Sequence, residues 1–248
     1  MKKKFAYAEN LSLEESRKTL GENLSFAAAE AYKLLRTNLG FSLSDNSGCK
    51  VIGVTSAMKG EGKSTTSINM AYTMAQNGGR VLLMEADLRL PTVAKRLGLK
   101  QKPGITNLLV GQVPGNDILQ RTNLISNLWV AAAGDIPPNP AELLGSANMK
   151  TTIQTMADAF DVIIVDLPPI TAVTDAVLVS KIVDGMVVVV RQNYCDRDSL
   201  EEVVRQLRFA DAKILGFVMT GADNQKKNYR RYGKSYGDYR QPGKGAGS

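Results

Sequence analysis

Six apolar runs punctuate the chain without alternating: VIGVTSA (51–57), RVLLMEA (80–86), LWVAAA (128–133), DVIIVD (161–166), GMVVVV (185–190) and AKILGFVMT (212–220). A strand wetted on one side alternates polar and apolar residues, whereas one covered on both faces is apolar throughout. The six runs therefore predict buried strands. Between them the apolar positions recur every three or four residues, the helical period, over 63–77, about 92–98, 105–110, 140–157, 174–182 and 198–210. Ahead of the first strand, 12–43 reads as one long helix, because Ala31, Leu34, Leu35, Leu39 and Phe41 roughly keep that period. Strands alternating with helices imply a doubly wound α/β fold, its sheet mostly parallel and its helices on both faces. After Gly221 the apolar pattern stops, and residues 222–248 are polar, basic and glycine-rich, the composition of a disordered tail. The chain thus divides into an N-terminal segment (1–24), one α/β domain (25–221) and a tail (222–248).

There is no histidine. The commonest general base and metal ligand are absent, so acid–base chemistry falls to carboxylates, lysines or tyrosines. Cys49 and Cys195 lie far apart and form no C-x-x-C pair, as expected of inert thiols in a reducing cytoplasm. No apolar run approaches the roughly 20 residues that span a bilayer. The N-terminal MKKKFAYAEN is basic but lacks the apolar stretch of a secretion signal. The formal charge of +7 is uneven: residues 223–248 hold seven Lys/Arg against Asp223 and Asp238, a net +5, leaving +2 for the other 222. A nearly neutral body carries a cationic tail, suited to an anionic surface or to solvent. That tail also holds four of the eight tyrosines, Tyr229, Tyr232, Tyr236 and Tyr239. Tyrosine interleaved with Arg and Lys suits single-stranded nucleic acid too, but nothing else in the chain points to a nucleic-acid partner.

AMKGEGKST (57–65) follows the first strand and opens the next helix. From Gly62 onward it matches a P-loop, with Ala57 where the pattern's first glycine stands. Glycines let successive backbone N–H groups curl around phosphates, and the helix N-terminus adds partial positive charge. Lys59, Gly60, Glu61, Gly62, Lys63, Ser64 and Thr65 are the predicted nucleotide site, with Lys63 on the β- and γ-phosphates and Ser64 on Mg²⁺. Such a site needs carboxylates for the metal and the nucleophile. Two strand ends supply them: VLLMEADLRLP (81–91) with Glu85 and Asp87, and VIIVDLPP (162–169) with Asp166. Parallel sheets gather ligands at their strands' C-terminal ends.

These stretches together resemble the bacterial tyrosine kinases that regulate capsule and exopolysaccharide synthesis. They supply a P-loop, an acidic strand end of the D-x-D-x-R-x-P type and a strand ending in D-x-P-P. GDIPPNPAELLGS (134–146) adds the P-N-P-x-E-L-L segment, in which Asn139 is expected to cap and Pro140 to open a helix. With the tail tyrosines, the resemblance covers roughly residues 25–240. It implies a P-loop NTPase domain holding ATP and Mg²⁺, with Ser64, Asp87 and Asp166 at the metal and a catalytic set of Lys63, Glu85, Asp87 and Asp166. In the family the two acids of the second motif serve the metal and the attacking tyrosine hydroxyl. Glu85 stands where the first is usually Asp, about 1.3 Å longer, and a misplacement of about 1 Å costs around a hundredfold in rate. Glu85 is therefore the departure that bears on catalytic rate.

The resemblance further implies autophosphorylation of Tyr229, Tyr232, Tyr236 and Tyr239 between subunits of a ring, which phosphorylation disassembles. Each phosphate adds about −1.5 to −2 charge, so three overturn the tail's +5. EAYKLLR (30–36) resembles the family's E-x-x-R-x-x-R oligomerisation motif, with Lys33 at the first arginine and Glu30, Lys33 and Arg36 on one helix face. The implied partners are a transmembrane activator of polysaccharide export, whose cytoplasmic tail stimulates the kinase, and a cognate tyrosine phosphatase. The chain would be cytoplasmic and held at the membrane through its activator. The alternatives are a switch ATPase of the plasmid-partitioning or division-site kind, or a catalytically weak ATP-binding scaffold. The switch ATPases carry a lysine five residues before the P-loop lysine. Here that position is Met58, and Lys59 comes one place too late.

Overall fold

The structure is a computed structural model and describes residues 18–44 and 48–222. Seven strands form one sheet: β1 (Lys50–Ser56), β2 (Val81–Glu85), β3 (Leu119–Arg121), β4 (Leu128–Ala131), β5 (Val162–Asp166), β6 (Gly185–Arg191) and β7 (Ile214–Thr220). Among the described residues eight α-helices accompany them: α1 (Phe26–Ser42), α2 (Lys63–Ala75), α3 (Val93–Leu97), α4 (Ile105–Leu109), α5 (Pro140–Leu144), α6 (Ala147–Ala157), α7 (Asp175–Val179) and α8 (Arg197–Phe209). The strand order is β3-β4-β2-β5-β1-β6-β7, parallel except for β3 against β4. β1 lies between β5 and β6, and β2 lies on the far side of β5. That order sets the P-loop, which follows β1, beside the ends of β5 and β2, where Glu85 pairs in register with Asp166.

The continuous apolar runs have the predicted cause. Successive strand residues face opposite sides, and helices cover both. On one side Leu82, Met84, Ile163, Val165 and Val188 pack with Met149, Ile153, Val203 and Leu207. On the other, Ile52, Val54, Leu83, Ile164 and Val187 pack with Leu39, Ile68, Ala71 and Tyr72.

Four expectations are corrected. The helix expected over 12–43 begins at Phe26, because Ser25 takes the cap and accepts from Ala28 N at 3.3 Å. Before it, Gly21–Asn23 form a 3₁₀ turn, and 12–17 lie outside the described residues. The helix expected over 140–157 is two: Ser146 bonds Met149 N at 3.2 Å and starts α6 afresh. Asn139 occupies the cap position before α5, but its side chain donates to Glu142 and caps nothing. Finally, β7 is an edge strand, not a buried one, with Phe217 52% and Met219 63% exposed. Only three residues long, β3 carries no apolar run and was not foreseen. Among the described residues no helix is long and apolar enough to cross a membrane. The N-terminal segment up to Arg17 and the tail from Asp223 lie outside the described residues, the four tail tyrosines among them.

Candidate active site

The P-loop turns on two glycines, Gly60 and Gly62, both in the left-handed region at φ 89°. A side chain there is strained, and Gly62 directly precedes α2, whose N-terminal N–H groups open toward the loop. Lys63 is buried, with its ammonium folded onto carboxylates: it donates to Asp166 Oδ1 at 3.2 Å and to Asp87 Oδ2 at 3.4 Å. Ser67 donates to the same Asp166 oxygen at 2.9 Å. One cation between two carboxylates leaves a net negative charge. Ser64 sits one residue on, its hydroxyl 3.4 Å from the ammonium.

Three of the four predicted catalytic residues therefore meet: Lys63, Asp87 and Asp166. Glu85 does not join them. Its fully buried carboxylate accepts from Val93 N at 2.5 Å, Ala133 N at 3.3 Å and Ala94 N at 3.5 Å, tying β2 to the start of α3 and the end of β4. Burial pushes its pKa above the ordinary 4.5, and these N–H groups offset part of that rise. The extra methylene that set Glu85 apart in the sequence lets it serve as a loop anchor.

The residues present fit a magnesium ion. Asp166 Oδ2 is buried without a hydrogen-bond partner, an acceptor left over for a cation or its water. Among the described residues no group of three acids forms a metal cage. Mg²⁺ takes one or two carboxylates and completes its shell with phosphates and water. Ser64, Asp166 and Asp87 are the residues that would hold it.

Several supporting roles escaped the sequence reading. Glu61, expected at the nucleotide, buries its carboxylate beneath the loop, accepting from Met58 N at 2.6 Å and Arg191 N at 3.2 Å. Only its backbone is left to serve phosphate. Tyr194 donates to Lys59 O at 3.0 Å, and Arg191 donates to Gly60 O at 3.2 Å. Thr171 donates to Ala57 O at 2.5 Å, fixing the loop's other end. Arg89 grips the fully buried Asp175 with two bonds, at 2.9 and 3.0 Å, which raises its pKa. Arg96 donates to Thr65 Oγ1 at 2.7 Å, its pKa lowered chiefly by burial. A lone acid opening a short helix, like Asp175, looks in sequence like any helix start, so no signal marked it. Both thiols are pushed up to about 11, Cys49 and Cys195 alike, first by burial, and stay protonated as the sequence suggested.

A groove of about 640 Å³ extends from Gly62 and Thr65 between α1 and the end of β7, with Tyr32, Leu35, Val218 and Thr220 among its walls. α1 also carries the three residues expected at a subunit contact. Glu30 and Lys33 pair at 2.7 Å, both about half exposed. Arg36 turns inward instead and donates to Thr73 O of α2 at 2.9 Å.

A family model described as an AAA domain matches residues 49–214. The tyrosine-protein kinase YwqD of Bacillus subtilis is 38% identical over 206 residues, 83% of this chain and 86% of YwqD. The chain belongs to the bacterial tyrosine-protein kinases. Solved structures agree. The chimerical protein CapA2B2 superposes with a TM-score of 0.76 at 31% identity, covering 83% of this chain and 89% of its own. The kinase domain of the Escherichia coli tyrosine kinase ETK gives 0.79 at 25% identity, covering 94% of this chain and 84% of its own.

Proposed function

We propose that the chain transfers the γ-phosphoryl group of ATP to tyrosine hydroxyls, its own tail tyrosines Tyr229, Tyr232, Tyr236 and Tyr239 on a neighbouring copy first among them. The observation that carries this reading is Lys63 held between Asp87 and Asp166 at the mouth of the P-loop. Arriving phosphates draw the ammonium off the carboxylates, because a phosphate cradled by the loop offers it more negative charge. Lys63 then orients the β- and γ-phosphates, while the loop's backbone N–H groups fix the rest. Both carboxylates are released by the same movement. Mg²⁺, when bound, neutralises charge on the transferring phosphoryl group. Ser64, Asp166 and Asp87 would hold that metal, and Asp87 also accepts the proton of the attacking hydroxyl. In a chain without histidine a carboxylate is the natural base. Glu85 acts through position alone, by holding α3. The groove beside Gly62 and Thr65 is the natural space for the nucleoside.

The tail's +5 charge favours approach to a site whose resting balance is negative, and successive phosphates reverse that attraction. Self-association, with Glu30 and Lys33 of α1 at the boundary and Arg36 bracing α1 on α2 behind them, brings one copy's tail to another's site. A transmembrane activator, control of polysaccharide synthesis, a cognate phosphatase and a cytoplasmic place at the membrane complete the reading by similarity to the family. The second reading, an ATP-binding scaffold that signals without transfer, draws on one observation: Glu85 is already bound to three backbone N–H groups. Mass-spectrometric mapping after incubation with Mg²⁺, γ-labelled ATP and the activator's tail peptide separates the two. Label on tail tyrosines that Lys63→Met abolishes supports the kinase. ATP binding without any labelled tyrosine would leave the scaffold.

A further inference from the structure

We infer that Tyr194 is itself a phosphate acceptor, and that its phosphorylation loosens the P-loop's hold on nucleotide; the inference rests on the kinase reading above. Three tyrosines fall among the described residues. Tyr72 is buried in the core and Tyr32 lines the groove. Tyr194 is different: its side chain is 48% exposed, yet its hydroxyl donates to Lys59 O of the P-loop at 3.0 Å. The preceding Asn193, at φ 58°, turns the chain back toward the loop. The Arg191 guanidinium lies over the Tyr194 ring, 5.2 Å from its centroid, while bonding Gly60 O at 3.2 Å. One turn after β6 therefore grips two successive P-loop carbonyls, those of Lys59 and Gly60. Peptide units are rigid, so a held carbonyl also sets the direction of the next N–H, and these N–H groups meet phosphate.

Phosphorylation undoes both grips at once. The tyrosine oxygen becomes an acceptor and faces the Lys59 carbonyl without a proton to share. About −1.5 to −2 charge appears beside a site meant for triphosphate. Arg191, already stacked on the ring, finds a phosphate within reach, and a bidentate phosphate pair is stronger than its single bond to a neutral carbonyl. The half-exposed Lys59 to Gly60 edge is then freed from outside, with no core residue moved.

The donor is ATP in a second copy, since the Tyr194 hydroxyl is tied to the Lys59 carbonyl of its own loop. Tyr194 Oη attacks the γ-phosphorus, the bond to the β–γ bridging oxygen breaks, and ADP leaves with that electron pair. The hydroxyl proton passes to the donor copy's Asp87 and on to solvent. The product is a self-limiting kinase.

The test mixes wild-type chain as donor with Lys63→Met chain as acceptor, distinguishable by isotope labelling, together with Mg²⁺, ATP and the activator peptide. Phosphopeptides of the acceptor are then mapped. Phosphate on Tyr194 beside the tail label is expected. Tail label with Tyr194 unmodified overturns the inference and leaves the kinase reading standing, whereas no label on any tyrosine sinks both. In a second arm, phosphotyrosine is encoded at position 194 and Mg-ATP affinity is compared with Tyr194→Phe, which loses one hydrogen bond and gains no charge. The Phe variant should bind within about tenfold of wild type. The phosphorylated chain should bind at least about tenfold more weakly than the Phe variant. Equal affinities would refute the loosening.

Discussion

Shortening Glu85 to aspartate tests whether this acid anchors a loop or takes part in transfer. The substitution withdraws the carboxylate by about 1.3 Å, a little under one carbon–carbon bond. From 2.5 Å at Val93 N and 3.3 Å at Ala133 N, both contacts then pass beyond hydrogen-bonding distance unless the backbone follows. A buried N–H left without a partner costs about 1–3 kcal/mol, so two give roughly 2–6 kcal/mol before relaxation, and about 2–4 kcal/mol after some closure of the gap. In a domain of this size each kcal/mol moves Tm by about 2–4 °C, so Tm should fall by roughly 4–16 °C. Urea unfolding should show a lower midpoint at unchanged slope. Tail phosphorylation should be no faster than in the parent, because restoring the family's residue also loosens α3, whose Arg96 reaches Thr65 beside the P-loop. A Glu85→Asp chain as stable as the parent and faster in transfer would refute the anchor and return this carboxylate to the phosphates.

The remaining predictions are more direct. Lys63→Met should lower ATP affinity by about a hundredfold or more, judged by calorimetry, since a buried charge-assisted phosphate contact is lost. Gly62→Ala should cost about 1–2 kcal/mol at its left-handed backbone and weaken nucleotide binding more than the stability loss alone explains. Asp175→Asn, which leaves Arg89 half-bonded, should destabilise by about 1.5–3 kcal/mol in urea melts. Because burial raises the Glu85 pKa above 4.5, the folded chain holds this proton more tightly than the unfolded one. Its contribution is therefore complete below that ordinary value and is lost as pH rises through the folded value. Measured against Glu85→Gln, the parent should therefore gain stability as pH falls through the folded value.

Much of this architecture was legible because sheet burial writes itself into long apolar runs. All six predicted strands are present, and the P-loop, Asp87 and Asp166 meet as the strand ends foretold. What stayed hidden depended on partners distant in the chain. The inward turn of Arg36 requires the Thr73 carbonyl, and the grip of Tyr194 requires Lys59, 135 positions away. Glu61 reads as a loop residue because nothing local shows that Arg191 N lies beneath it. The break at Ser146 was visible in principle, since a serine three residues before Met149 is a helix start, but the apolar period runs through it unbroken. Edge position misled the reading of β7: its apolar residues meet a groove and solvent where covering helices were expected on both faces.

The missing histidine and the two thiols held near 11 give this kinase an unusually quiet proton background. Between about pH 5.5 and 7 few ordinary side chains titrate. A proton exchanged there on nucleotide binding points first to the nucleotide's own terminal phosphate. Calorimetry in two buffers of different ionisation heat would count those protons directly. Repeating the count with Glu85→Gln would assign them, a partition that a histidine-bearing relative would blur.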